Sequence, residues 1–398
     1  MNNLKERIKT LSGEYLEEVI SYRRHFHRHP ELSFKEYDTA AFIAARLSSF
    51  GIPFEDKVAK TGIVALIQGL DPESTTVALR ADMDALPIKE NNQHDYCSET
   101  EGVMHACGHD AHMACLLGAA RVLNELRNEF SGTVKLIFQP SEESYPGGAK
   151  VMIEEGVLEN PAPRGIFGQH VFPELEAGSI GMRPGKYMAS TDEVFITVKG
   201  KGGHAAIPDK VIDPILIASH IVVAMQQIVS RKSSPVMPTV VSFGKIHGDG
   251  KTNVIPDEVK LEGIIRTFDE SWRAEIKGQI KKIACGIAES MGGSCEIFID
   301  QGYPAVVNDD ALTHRAWEWA VDYLGEDKVK ALEMRMTAED FSYFAQKVPG
   351  CFFRLGTRNE EKNIISNLHS ATFDIDESSL ETGVGVMAWL AVNELTRK

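Results

Sequence analysis

The feature that most constrains the fold is an alternation of short apolar runs with amphipathic segments, which changes character once, near Tyr187. Before that point, four compact runs rich in β-branched residues have the length and composition of buried strands. The predicted strands are residues 63–67, 77–81, 133–138 and 165–167, and the predicted helices are 36–50, 111–126 and 149–158. Strands that alternate with helices predict an α/β domain with a mixed, mostly parallel sheet covered by helices.

After Tyr187 the predicted elements follow the order strand, helix, strand, strand, helix, strand, which is that of a ferredoxin-like α+β domain. These elements are residues 193–198, 212–230, 239–246, 258–267, 271–291 and 294–299. Amphipathic helical patterns resume at 311–324 and 377–395. We therefore predict a discontinuous α/β domain of residues 1–186 and 301–398, with an inserted domain of residues 187–300.

Reactive side chains are concentrated in residues 105–112, where a thiol, three imidazoles and a carboxylate occur within the sequence HACGHDAH. Cysteine sulfur and histidine nitrogen are the ligands that zinc and similar ions prefer, so this segment predicts a metal site. Ligands bind outside the carboxyl ends of strands in open α/β sheets, and further donors are expected to converge there. The residues that follow predicted strands are Asp82, Asp84, Glu142, Glu143, Gln169 and His170.

The candidate donors are too numerous for one tetrahedral ion with an open position, and two adjacent divalent ions fit them better. The strongest candidates are Cys107, His109, Glu143, His170 and His369. Excess positive charge from two ions would lower the pKa of a bridging water to about 7. Glu142 would then take the proton from that water and pass it to a leaving amine.

The other histidines are interpreted differently. His25, His27 and His29 alternate ahead of Pro30 and would point to different faces of a helix, so they are predicted to form a helix end. His204 lies in the glycine-rich turn 200–208, which lets an imidazole approach a ligand closely. Residues with no neighbouring ligand pattern are expected on the surface or as satisfied core residues, and they are His94, His220, His247 and His314.

Composition excludes several classes of protein. A net charge of -15 and a pI near 5.4 with no basic stripe argue against nucleic acid as a partner. No run of about 18 apolar residues predicts a membrane span, and the N-terminus lacks an apolar signal region. Six scattered cysteines are typical of a reducing compartment, so we expect a cytoplasmic protein without structural disulfides.

Seven motifs carry a resemblance to a known family. The chain resembles the M20 metallopeptidase and aminoacylase family, specifically the amidohydrolase branch with hippurate hydrolases and indole-acetyl-amino-acid hydrolases. The motifs are HRHPE at 27–31, LRADMDALP at 79–87, MHACGHD at 104–110, FQPSEE at 138–143, KGGHA at 201–205, NVIP at 253–256 and LHS at 368–370.

This resemblance implies an enzyme that cleaves the amide bond of N-acyl amino acids such as N-acetyl or N-benzoyl conjugates. It implies two divalent ions per subunit, zinc or manganese ahead of cobalt or nickel, and Glu142 as the general base. The ligand positions that it implies are Cys107, His109, Glu143, His170 and His369.

The resemblance also implies a homodimer formed through the 187–300 domain, which acts as a lid. His204 would reach from the partner subunit to polarise the scissile carbonyl, while Asn253 and Arg266 would meet the substrate, Arg266 at a free carboxylate. Asp82 and Asp84 would orient a ligand histidine. One departure is residues 144–146, Ser-Tyr-Pro, where relatives often run through glycines; it affects the shape of the nearby pocket.

Three alternatives remain open at this point. A di- or tripeptidase or a carboxypeptidase of the same fold would have the same metal site, and a dipeptidase would also recognise a free amino terminus. A catalytically silent metal-binding scaffold is disfavoured by the intact Glu142. A thiol hydrolase built on Cys107 and His109 would be sensitive to iodoacetamide but not to chelators.

Overall fold

The computed structural model of the protein describes residues 2–397 and divides them into two compact units. The larger unit comprises the chain up to Gly185, Val307–Glu333 and the residues from Asp340 onward. The smaller unit comprises Lys186–Val306 and Met334–Glu339. The smaller unit is therefore inserted into the sequence of the larger one.

Ten α-helices and sixteen strands lie within the described residues. The helices are α1 (Asn2–Glu14), α2 (Leu16–Arg28), α3 (Tyr37–Ser49), α4 (His109–Glu125), α5 (Gly148–Glu154), α6 (Pro214–Gln227), α7 (Glu270–Ser290), α8 (Asp310–Leu324), α9 (Phe341–Ala345) and α10 (Ser379–Thr396). The strands are β1 (Phe54–Val58), β2 (Gly62–Gln68), β3 (Thr76–Asp82), β4 (Thr133–Gln139), β5 (Ile166–Glu176), β6 (Ile180–Met182), β7 (Gly185–Met188), β8 (Asp192–Lys199), β9 (Gly203–His204), β10 (Thr239–His247), β11 (Val254–Ile255), β12 (Glu258–Thr267), β13 (Ser294–Gln301), β14 (Val306–Asn308), β15 (Val329–Ala331) and β16 (Gly350–Arg358).

The larger unit is built on an eight-stranded sheet with the order β1-β2-β4-β3-β5-β16-β6-β15. Neighbours pair in parallel from β4 to β16 and between β6 and β15, and antiparallel elsewhere. Every residue of β3 and β4 is buried, and α4 and α10 pack on each other and on β3. Strands covered on both faces become near-continuous apolar runs, which is why they were readable in the sequence. The predicted mixed, mostly parallel sheet covered by helices is confirmed.

Two predicted elements had the largest errors in their bounds. β5 extends to Glu176, whereas only residues 165–167 were predicted, so His170 lies within the strand rather than after it. The polar Gln169 and His170 interrupt the apolar pattern, yet both are buried because β5 is central, between β3 and β16. Helix α5 ends at Glu154 instead of residue 158, because Gly156 adopts a left-handed φ of 87°.

The smaller unit has the ferredoxin-like order β8, α6, β10, β12, α7, β13, and its strands form an antiparallel sheet with the order β10-β12-β8-β13. Both helices begin at an aspartate whose side chain accepts backbone N–H groups, Asp213 before α6 and Asp269 before α7. The helices bury their apolar sides with the inward residues of the sheet. The predicted ferredoxin-like domain is therefore confirmed as a fold.

Segment Pro214–Lys232 is the one helix among residues 2–397 that is long and apolar enough to cross a membrane by length and composition. Of its apolar window, 33% is buried within the structure, and Ile217, Ile221 and Met225 belong to the core of the smaller unit. Core helices of water-soluble proteins pass the same length and composition test, so this segment is weak evidence for a membrane span.

Candidate metal centre

The turn that begins α4 brings two candidate donors to one region. Gly108 separates Cys107 from His109 and has a left-handed φ of 81°. A Cβ atom on Gly108 would lie 2.4 Å from Cγ2 of Val171, so both its backbone conformation and its surroundings require glycine. The donor atoms of Cys107, His109 and His170 all lie within 4.8 Å of one another.

Cys107 lies between two histidines that come from distant parts of the chain. Its Sγ is 3.4 Å from Nε2 of His170, on β5, and 3.3 Å from Nε2 of His369, in the segment before α10. Nδ1 of His170 donates to the carbonyl oxygen of Val171 at 2.7 Å, so its Nε2 carries the lone pair. The same His369 Nε2 is 3.3 Å from Oε1 of Glu143. Cys107, Glu143 and His369 thus form a second candidate donor group.

The Glu142-Glu143 pair follows β4 in a turn that one carboxylate holds. Asp84 accepts the backbone N–H of Glu142 on Oδ1 at 2.9 Å and that of Glu143 on Oδ2 at 3.0 Å. Two residues in this region have a left-handed backbone, Ser141 with a φ of 51° and His369 with a φ of 59°. Such conformations persist in non-glycine residues only where surrounding bonds impose them, and they cluster at functional sites.

Glu36 fixes the strained Ser141 from the other side. Its Oε1 accepts the backbone N–H of Ser141 at 2.9 Å, and its Oε2 accepts the hydroxyl of Thr61 at 2.6 Å. Burial and the nearby charge of Asp84 raise the pKa of Glu36 to about 7, although these hydrogen bonds oppose the shift. The turn that carries Glu142 is therefore attached to a carboxyl group that titrates near neutrality.

The stability of the folded protein should therefore depend on pH through Glu36. The folded protein binds the proton on Glu36 more tightly than the unfolded chain does. The stabilisation of the fold by this proton is therefore complete below pH 4.5 and is lost as pH rises to about 7. Glu36→Gln should therefore become more stable relative to wild type between pH 5 and 7, by up to roughly 3 kcal/mol, and the difference should then level off. Urea unfolding at fixed metal load measures it. Glu17→Gln, an exposed substitution on α2, is the control, and a difference independent of pH would contradict the assignment.

The donor set passes a test of fit to metal ions. Both ring nitrogens of His109 and Oε1 of Glu143 are buried without a hydrogen-bond partner among the described residues. Buried polar atoms without partners cost free energy, and such atoms beside a thiol and two further imidazoles fit a cation. Glu142 is also buried, and its carboxylate lies within 4.8 Å of the donor atoms of His109 and Glu143.

The electrostatic field at these donors favours positive charge. Burial alone would lower the pKa of His109, but Asp82, Asp84 and Glu143 outweigh it and raise that pKa to about 10. Burial raises the pKa of the Cys107 thiol, and Glu143 and other nearby carboxylates raise it further. A divalent cation would satisfy the same carboxylates and would displace the proton from the thiol.

The other two histidines of the HACGHDAH segment are not among the predicted metal ligands. His112 donates from Nδ1 to Asp82 at 2.5 Å, and its Nε2 accepts the backbone N–H of Val171 at 2.8 Å. His105 is buried, and burial lowers its pKa to about 3. Asp82 therefore orients His112 directly, and its Oδ2 lies 3.7 Å from Nε2 of His109.

The profile of the family described as Peptidase family M20/M25/M40 matches residues 78–393, a range that contains all the candidate donors. The chain belongs to peptidase family M20. The resemblance inferred from the seven motifs is thereby confirmed.

Three relatives match this M20 protein over most of its length. The protein named "Putative amidohydrolase YhaA" of Bacillus subtilis is 45% identical over 388 residues, 98% of this chain and 97% of YhaA. Thermostable carboxypeptidase 1 of Saccharolobus solfataricus is 41% identical over 393 residues, 98% of each protein. N-acyl-L-amino acid amidohydrolase of Geobacillus stearothermophilus is 44% identical over 306 residues, 77% of this chain and 82% of that enzyme. This M20 protein is a metal-dependent amide hydrolase.

A solved relative supports the number of metal ions. The crystal structure of the YXEP protein of Bacillus subtilis, described as a dinuclear metal binding peptidase from the M20 family, matches with a TM-score of 0.84. It is 36% identical, and the match covers 97% of this chain and 99% of that one. Together with the overlapping donor groups around Cys107, this likeness supports a centre of two divalent ions in this M20 enzyme.

The smaller unit holds the three other residues that the motifs singled out. His204 ends β9 opposite Val254 of β11, and the N–H of Ala205 donates to the carbonyl oxygen of Asn253 at 3.0 Å. His204 and Asn253 are thus neighbours, and both are exposed. Arg266 lies apart from that pair in sequence, on β12, opposite Val240 of β10.

Two positioning residues escaped the sequence analysis in part or in full. Asp84 was expected to orient a histidine, and its Oδ1 lies 3.4 Å from Nδ1 of His109. Its hydrogen bonds to the backbone N–H groups of Glu142 and Glu143 were not predicted. Glu36 was missed altogether. A charged residue at the start of an amphipathic helix normally faces water, so nothing in the local sequence distinguishes it.

Cobalt offers a test of the proposed sulfur ligand. When Co²⁺ is added to chelator-treated protein, we expect a sulfur-to-cobalt charge-transfer band in the near ultraviolet, because binding converts the Cys107 thiol to a thiolate. Cys107→Ser should abolish the band. Cys115→Ser is the matched control, since Cys115 is also buried and lies on α4, the helix that begins two residues after Cys107. A band of equal intensity in Cys107→Ser would remove Cys107 from the ligand set.

Proposed function

We propose that the protein hydrolyses the amide bond of N-acyl amino acids, with N-acetyl and N-benzoyl conjugates as its substrate class. The observation that carries this proposal is the placement of Glu142, a buried carboxylate within 4.8 Å of the donor atoms of His109 and Glu143. The substrate class rests on the motif resemblance and on the relative named an N-acyl-L-amino acid amidohydrolase.

Five residues would hold the two divalent ions, zinc or manganese in preference to cobalt or nickel. The proposed ligands are Cys107, His109, Glu143, His170 and His369. When bound, such ions polarise a carbonyl group and acidify a coordinated water. Cys107 contacts both His170 and His369 and belongs to both candidate donor groups.

Glu142 is the proposed general base and acid. Its carboxylate takes a proton from the attacking water and delivers it to the amide nitrogen, so that the C–N bond breaks and a carboxylic acid and a free amine leave. Asp84 accepts the peptide N–H of Glu142 and thereby fixes the backbone that carries this carboxylate. The neighbouring Glu143 has a different role because its Oε1 is directed at His369.

We propose roles for the smaller unit on the basis of the motifs. Residues 187–300 would form a lid and the interface of a homodimer, with the α/β regions 1–186 and 301–398 as the catalytic domain. His204 of one subunit would polarise the scissile carbonyl in the other. Asn253 would bind the substrate near it, and Arg266 would pair with the free carboxylate of the amino acid, which its planar guanidinium binds through two hydrogen bonds.

Net charge and cysteine usage support the proposed partner and location. The net charge of -15 favours a small-molecule substrate over nucleic acid, and we propose a cytoplasmic protein that does not insert into membranes.

A second candidate function is supported by a relative. Thermostable carboxypeptidase 1 is 41% identical over 98% of the chain, so a peptidase that cleaves di- or tripeptides or a C-terminal residue is the alternative. Such an enzyme would share the metal centre and Glu142. It would differ in accepting a free amino terminus or a longer chain on the acyl side.

One screen separates these functions. Chelator-treated protein is reloaded with zinc, manganese, cobalt or nickel and assayed on matched pairs, each an N-acetyl or N-benzoyl amino acid and the dipeptide with the same C-terminal residue. We expect the higher kcat/KM on the N-acyl compound. A preference for the dipeptide would favour the peptidase, and activity that resists chelators but not iodoacetamide would favour a thiol hydrolase.

A further inference from the structure

A second group of metal-type side chains lies in the larger unit and shares no member with the proposed ligand set. We call it the outer cluster, and its members are His27, Glu90, His94 and Asp374. His27 is on α2, Glu90 and His94 belong to the long segment between β3 and α4, and Asp374 precedes α10. The donor atoms of His27, Glu90 and His94 lie within 4.8 Å of one another.

His27 is oriented in the way that metal-binding histidines usually are. It is fully buried, and its Nδ1 donates to Oδ2 of Asp110 at 2.7 Å. Asp110 also accepts Nε of Arg23 at 2.9 Å, which keeps the carboxylate ionised and makes His27 Nδ1 the donor. Metal ligands typically give their second ring N–H to a carboxylate in this manner. The other nitrogen, Nε2, is thereby directed at Oε1 of Glu90, 3.2 Å away.

One ring nitrogen of His94 is buried and makes no hydrogen bond to the described residues. Its Nε2 has no hydrogen-bond partner among the described residues, although it lies 3.5 Å from Oε1 of Glu90 and 3.8 Å from Oδ2 of Asp374. Its ring is stacked on Tyr96 at a centroid distance of 3.7 Å, and Nδ1 contacts Sγ of Cys97 at 3.4 Å. The expectation that His94 is a surface or satisfied core residue is therefore wrong. A buried ring nitrogen that lies close to two carboxylates without a hydrogen bond is an arrangement that a cation stabilises.

The spacing of the donor atoms fits a tetrahedral ion. With metal–nitrogen and metal–oxygen bonds of about 2.0–2.2 Å, adjacent donors around a zinc-type ion are separated by about 3.4 Å. The two histidine nitrogens lie 3.2 Å and 3.5 Å from the same Glu90 oxygen. Two imidazoles and one carboxylate are also a donor combination that zinc and cobalt accept readily.

We propose that His27, Glu90 and His94 bind one further divalent ion of the zinc or cobalt type, with Asp374 as the fourth donor. Asp374, whose Oδ2 lies 3.8 Å from Nε2 of His94 and accepts the hydroxyl of Tyr96 at 2.9 Å, would complete a tetrahedral set of protein donors, so the site is structural rather than catalytic. Binding displaces a proton from Nε2 of His27, which otherwise donates to Glu90. The ion would link α2, the segment between β3 and α4, and the segment before α10. It lies near the metal centre in sequence, because Asp110, which binds His27, follows His109 and because Asp374 lies five residues after His369.

Metal counting tests the proposal directly. The full-length protein is freed of metal with a chelator, saturated with Zn²⁺, passed through a desalting column and measured for zinc per subunit. We expect wild type to retain one equivalent more than His94→Gln and one more than Glu90→Gln. His25→Ala is the matched control, because His25 is on the same helix as His27 but stacks on Phe42 and is not a member of the outer cluster. It should retain the wild-type amount.

The comparison does not depend on the proposed reaction, because the difference of one equivalent is the same whatever the other centre holds or hydrolyses. Retained amide hydrolysis in His94→Gln shows that the variant has folded. Equal zinc in wild type, His94→Gln and His25→Ala would overturn the proposal.

Discussion

Glu142→Gln is expected to lower kcat by about 10²–10⁴-fold while the amount of bound metal stays at the wild-type level. Glutamine keeps the size and polarity of the side chain but cannot accept the proton of the attacking water. The turn should survive the change, because Asp84 binds the backbone N–H of residue 142 and not its side chain. Steady-state kinetics and metal content, measured on the same preparation, give the two readouts.

Glu143→Gln is the matched control, because it makes the same chemical change one residue later in the same turn. Glu143 faces His369 and is the proposed ligand, so this variant should lose metal as well as activity. If Glu142→Gln loses the metal and Glu143→Gln keeps it, the two assignments are reversed.

Mixing two inactive variants should restore activity if His204 acts across a dimer. His204→Ala alone should lose about 10²–10³-fold in kcat, the usual effect of removing one donor to a developing oxyanion. When subunits exchange with Glu142→Gln, half of the dimers are mixed, and each mixed dimer has one site with both groups intact. We expect about a quarter of the wild-type activity per subunit.

The exchange itself is the control for that experiment. Differently tagged subunits, co-purified after mixing, show whether mixed dimers have formed. Mixing each variant with itself should restore nothing. A mixture that remains inactive despite demonstrated exchange would mean that His204 acts within its own subunit or takes no part in the reaction.

Local patterns predicted the scaffold well. The order of elements in the smaller unit was readable because its strands alternate apolar and polar residues and because aspartates cap both helices. Most of the central strand β5 was not predicted, because a strand buried on both faces is expected to be apolar. This strand carries the polar Gln169 and His170, and the contact of His170 with Cys107 forms only in the folded chain.

Contacts between distant residues could not be predicted in the same way. The donors were found because motifs mark them, but Asp84 and Glu142 are 58 positions apart, and Ser141 lies 105 positions from Glu36. Hydrogen bonds over such separations exist only after the sheet has formed. The prediction for His94 failed for the same reason, because Glu90 and Asp374 come together around it only in the folded chain.

The position of β16 has a consequence for biosynthesis. This strand lies in the middle of the large sheet, between β5 and β6, yet it is among the last parts of the larger unit to leave the ribosome. Until residue 358 has been made, β5 presents an unpaired edge, and such edges promote association between chains. By then Cys107, His109, Glu143 and His170 have been synthesised and His369 has not. A nascent chain therefore passes through a stage at which four of the five proposed ligands are present while the sheet is still open beside β5.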